Sequence, residues 1–173
     1  MRKNVIVISA ALLLTFTGVS LLYAEGRSVR TTEMKMAENE THHFEVKPES
    51  LEGYRIPYMN VTVEITDQET GEKKTVELHP MFSGNFHYGA NVSLKPKKYT
   101  LRFRLDPPTF VRGHARAKMW LHPVEETFAF DASAKFEKSM KIGSKTTEDM
   151  KISFETEHAE EMFVIDEKGH HRH

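Results

Sequence analysis

From Met59 to Ile65 every second residue is apolar: Met59, Val61, Val63 and Ile65 alternate with Asn60, Thr62 and Glu64. A period of two sends alternate side chains to opposite faces of an extended chain, so this stretch reads as a half-buried β-strand. The alternation returns where Tyr99, Leu101, Phe103 and Leu105 interleave with Thr100, Arg102 and Arg104. "DPP" at 106–108 ends that strand, because proline cannot continue a central ladder. "THHFEV" at 41–46, the pair Val76 and Leu78, Phe128 with Phe130, and Ile152 with Phe154 mark further strands, and Phe163 with Ile165 a last one. "DQETGEK" at 67–73 is a hairpin turn with Gly71 available for a positive φ. No long stretch shows the 3.6-residue period of an amphipathic helix. Short strands separated by Gly, Pro and Asn turns predict an all-β sandwich.

The ends of the chain read differently. Arg2 and Lys3 precede a nearly unbroken apolar run from Val5 to Leu22, and the small residue Ala24 suits a cleavage position. Residues 1–24 are read as a secretory signal peptide, with an uncleaved membrane anchor as the alternative. Residues 25–40 form a polar N-terminal arm, 41–166 the sandwich, and 167–173 a tail carrying His170, His171 and His173. An exported chain with 0 cysteines has no disulfides, no lipid attached through an N-terminal Cys, no thiolate metal site and no Cys nucleophile. The formal net charge is −1 with both signs interspersed, which gives no basic face for nucleic acid. No Ser-His-Asp or paired-carboxylate arrangement stands out, so the expectation is that the protein is not an enzyme.

Chemistry concentrates elsewhere. "MFSGNFHYGAN" at 81–91 places a thioether, Met81, and an imidazole, His87, on either side of a turn signalled by Gly84 and Asn85. Gly89 and Asn91 suit a second turn. In "THHFEV", His43 and Glu45 are two residues apart, so on a strand they share a face and form half of a workable metal site. His114 and His122 lie in loop-like stretches, and Trp120 between them reads as a packing residue. Imidazole suits copper, iron, nickel and zinc; a thioether favours softer Cu(I), and a carboxylate harder ions. A mixed set is therefore adaptable across metals and oxidation states. Tyr88 and Asn91 read as residues that fix ligands or turns rather than bind.

"IPYMNVTVEI", "LHPMFSGNFHYGAN", "KKYTLRFRLDPP", "RGHARAKMWLHP" and "ETFAF" occur in an order and spacing that resembles the periplasmic high-affinity iron-transport protein family, iron-regulated copper-binding proteins. The resemblance covers residues 41–130, and "HYGAN" at 87–91 is its most specific piece. It implies an immunoglobulin-like antiparallel β-sandwich, a homodimer, and a metal site near the dimer interface that binds Cu(II). Carried over position by position, the implied ligands are His43, Glu45, Met81, His87 and His114, the last from the neighbouring protomer. His42 is an alternative to His43. The chain departs from the pattern in reading "HPM" where the family has "MPM", so that His79 replaces a Met, in its shorter "RGH" loop, and in the extension from Asp131 onward. The implied function is an exported periplasmic protein that binds copper and/or iron ions and assists iron acquisition by passing metal to an inner-membrane permease. A periplasmic copper chaperone, or an interaction domain with incidental His, are the alternatives.

Overall fold

The computed structural model describes residues 39–159. Eight strands follow in order: β1 (His42–Ser50), β2 (Val61–Asp67), β3 (Lys73–Ser83), β4 (Asn85–Val92), β5 (Lys98–Leu105), β6 (Val124–Asp131), β7 (Ser139–Thr146) and β8 (Met150–His158). A short 3-10 turn, His114–Arg116, lies between β5 and β6. All pairings are antiparallel, and the spatial order is β6-β5-β2-β3-β4-β1-β8-β7. The expected all-β immunoglobulin-like sandwich is what forms. Among the described residues no helix is long and apolar enough to cross a membrane.

β3 joins the two sheets. Its first half pairs with β2, from Lys73 opposite Thr66 to Leu78 opposite Val61, and its second half with β4, from His79 opposite Gly89 to Ser83 opposite Asn85. The outer strands β6 and β7 close on each other. A Cβ at Gly143 would sit 2.1 Å from the Phe128 ring, so only glycine lets β7 approach that closely.

The alternating apolar residues predicted in β2 and β5 are the core: Val61, Val63, Ile65, Leu101, Phe103 and Leu105 are all fully or almost fully buried. Phe44 and Val46 of β1, Tyr88 of β4 and Ile152 and Phe154 of β8 face them from the other sheet. Phe103 packs against Phe44, Phe128 and Phe154, with ring centroids 6.1, 6.2 and 4.9 Å away. Each fully buried side chain of this kind contributes about 1.5–3 kcal/mol. That burial also pins register. A one-residue slip of β1 would turn Phe44 and Val46 outward and His43 and Glu45 into the core, at a cost several buried side chains deep.

Two local expectations change. Gly89 and Asn91 are not in a turn; both lie inside β4. β7 was not signalled by the sequence pattern, because its register shifts between Lys141 and Gly143 and breaks the alternation begun by Met140 and Ile142. The proposed leader, most of the polar arm, the strand at Phe163 and Ile165 and the His-rich tail lie outside the described residues.

Candidate metal centre

The turn at Gly84, with φ +69°, folds β3 back onto β4 as a tight hairpin. Met81 and His87, six positions apart in sequence, thereby become directly opposed cross-strand partners. On the other side of β4, β1 pairs His43 with Asn91 and Glu45 with Gly89. Three neighbouring strands thus present His43, Glu45, Met81, His87, Gly89 and Asn91 on the sheet face opposite the core.

His43, Glu45 and His87 are all buried, and one potential donor atom from each lies within 4.8 Å of the other two. Glu45 Oε1 is 3.4 Å from His87 Nε2 and 4.0 Å from His43 Nε2. Two donors each about 2.0–2.1 Å from one ion are separated by at most about 4.2 Å, so these spacings suit a shared first-row metal. The two imidazole rings stand nearly perpendicular, at 87°.

Met81 belongs to the same group. The position a Cβ would take on Gly89 is 2.6 Å from His43 Nε2 and 2.7 Å from Met81 Sδ. The thioether and the imidazole therefore flank one small space, kept open because residue 89 has no side chain. Gly89 is the site residue that sequence reasoning misread, since glycine signals a turn more often than a cleared volume inside a strand.

Hydrogen bonds orient both rings. His87 Nδ1 lies 3.0 Å from the Asn85 carbonyl, which can only accept, so Nδ1 donates there and Nε2 is the nitrogen turned toward Glu45. His43 Nδ1 lies 2.7 Å from Asn91 Oδ1, which assigns the same tautomer and frees Nε2 toward Glu45. His87 Nε2, Glu45 Oε2 and Asn91 Nδ2 are buried without a hydrogen-bond partner. Lys47 Nζ sits 2.5 Å from Glu45 Oε2 as an ion pair, so that oxygen is engaged by Lys47. An unpartnered buried polar atom costs about 1–3 kcal/mol. His87 Nε2 is such an atom, and beside Glu45 Oε1 it fits a group that carries a positive charge and accepts an imidazole lone pair.

The other expected residues fall elsewhere. His114 is exposed on the 3-10 turn and is not among the clustered donors of its own chain. His42 faces the opposite way, its ring 5.5 Å from that of Phe130 and its Nδ1 2.8 Å from Thr41 Oγ1. Burial, and then the charge of His158, push its pKa down. It does not replace His43. His79 lies across from Gly89, but its ring is largely exposed, 4.0 Å from Glu77. Asn91 holds the His43 ring through the 2.7 Å contact of its Oδ1 with Nδ1. Tyr88 turns to the core, where its hydroxyl accepts from Met59 N–H at 2.9 Å and donates to the Ile56 carbonyl at 3.1 Å.

The model of a family described as Fe2+ transport protein matches residues 8–143. No curated protein matches the chain. Among solved structures, a copper-bound variant of Campylobacter jejuni P19 is 21% identical with a TM-score of 0.52, covering 59% of this chain and 80% of that one. A copper-bound variant of FetP from a uropathogenic Escherichia coli strain is 21% identical with a TM-score of 0.51, over 59% and 79%. Copper-reconstituted Campylobacter jejuni P19 is 23% identical with a TM-score of 0.50, again over 59% and 79%. At such identities the likeness speaks for the fold.

Proposed function

Because the chain belongs to the Fe2+ transport protein family, we propose that it is an exported periplasmic protein that binds copper and/or iron ions and assists high-affinity iron acquisition by delivering metal to an inner-membrane permease. The observation that carries the reading is the buried, unpartnered His87 Nε2, aimed at Glu45 Oε1 beside His43 Nε2. His43, Glu45, Met81 and His87 would hold the ion. The copper-bound state of the P19 and FetP structures supports copper as a ligand.

The ion is cargo, which a nitrogen, oxygen and sulfur set can hold in more than one oxidation state. Asn85 and Asn91 keep the two Nε2 lone pairs aimed inward before it arrives, so binding needs little reorganisation. His114 of a second copy in a homodimer would complete the set, and its exposure leaves it free to do so. A dedicated Cu(I) chaperone is less well supported, since one thioether beside a carboxylate is a poor match for a soft ion. Incidental histidines do not account for unpartnered buried donors.

The test is metal stoichiometry of the protein purified after export. About one Cu(II) per chain is expected, lost in His87→Ala. A His87→Ala protein that keeps wild-type stoichiometry would remove the site as described.

A further inference from the structure

Lys47 follows His43 and Glu45 on the same side of β1. Its ammonium lies 2.5 Å from Glu45 Oε2 and donates a 2.7 Å hydrogen bond to Glu155 Oε2. Glu155 reaches it from β8, where it pairs directly with Glu45. The two oxygens of Glu45 are thus divided: Oε1 faces the imidazoles, and Oε2 faces Lys47.

A carboxylate with both oxygens free can chelate, and oxygen-seeking ions gain most from that mode. Resting on the metal-binding reading above, we propose that Lys47 is a positioning residue that sets metal selectivity: it holds Oε2 so that Glu45 offers the ion a single oxygen. The fixed ammonium also repels any divalent ion nearby. Cu(II), which draws its affinity from the two imidazoles, tolerates the loss of the second oxygen better than Mn(II), which relies on carboxylate oxygen. Lys47 therefore filters for nitrogen-preferring ions without touching them.

The experiment titrates Cu(II) and Mn(II) separately into the wild type, Lys47→Met and Lys47→Arg, and records the Cu(II) electron paramagnetic resonance spectrum of each. In Lys47→Met, Mn(II) affinity rises about tenfold or more, from removal of a nearby charge, which both ions feel, and from the freed second oxygen, which favours Mn(II). Cu(II) affinity rises less, and the Cu(II) spectrum shifts as a second oxygen enters. Lys47→Arg keeps the wild-type ratio and spectrum. If Lys47→Met fails to fold, Lys47→Gln carries the same expectation. A neutral variant that binds Cu(II) with the wild-type ratio and spectrum overturns the role of Lys47 alone. A wild type that binds no Cu(II) overturns it together with the metal-binding reading.

Discussion

Substituting Gly89 with Ala tests the geometry of the centre without removing any donor. The new Cβ would fall 2.6 Å from His43 Nε2, 2.8 Å from His43 Cε1 and 2.7 Å from Met81 Sδ, where ordinary contact begins at 3.4 Å. The imidazole and the thioether must each retreat by well over half an ångström, or β4 must shift against its neighbours. Overpacking of this kind costs about 1–3 kcal/mol. Restricting the unfolded chain at a glycine returns about 0.4–1 kcal/mol. The net loss of up to about 2.5 kcal/mol corresponds to a melting temperature lower by up to about 10 °C. Metal binding should suffer more, since a donor displaced by that distance no longer reaches an ion about 2 Å away. Cu(II) affinity, measured by competition with a chelator of known strength, should fall about 100-fold, the upper end of what residues supporting a ligand are worth. Circular dichroism melts show whether the fold survives. A well-folded Gly89→Ala protein with wild-type Cu(II) affinity would refute the reasoning, because the volume claimed for the ion would then be dispensable.

Other consequences are separable from the metal. Asn91→Ala releases the His43 ring and should weaken Cu(II) binding about 10-fold, with a melting temperature close to wild type; unchanged affinity in a competition titration would remove the orienting role. Tyr88→Phe leaves the buried Met59 N–H unpartnered and should cost about 1–3 kcal/mol in denaturant unfolding, while Cu(II) affinity stays unchanged because Tyr88 faces the core. The Lys97 ammonium, with the N–H groups of Glu69 and Thr70 adding to it, holds the Asp67 carboxyl down at about 2 against the burial that opposes it. Its stabilising contribution is therefore complete above the ordinary value of 3.8 and is lost as pH falls through about 2. Asp67→Asn should melt below wild type at pH 5–6, and the gap should close between about pH 4 and pH 2; a gap independent of pH would contradict this.

Much of the centre could be read from local pattern. His43 and Glu45 share a strand face because they are two apart, and Phe44 and Val46 between them fix which face that is. Met81 and His87 could be joined because Gly84 announces the turn that sets them opposite each other. What stayed hidden depends on partners distant in sequence. Glu155 meets Lys47 only through the pairing of β1 with β8, which no local periodicity reports. Gly89 looked like a turn because its conformational freedom is visible in sequence, while the crowding of His43 and Met81 around it is not. β7 escaped notice because a shifted register and Gly143 interrupt its alternation. The role proposed for His114 would need a second chain, and in its own chain the ring is exposed on a short turn.

The central claim is that two buried imidazoles converge on one ion. X-ray absorption at the copper edge, on protein loaded with one equivalent of Cu(II), tests it most directly. Two or more imidazole nitrogens about 2.0–2.1 Å from the metal are expected, with one fewer in His87→Ala. A spectrum fitted by oxygen donors alone, and unaltered in that variant, would contradict it.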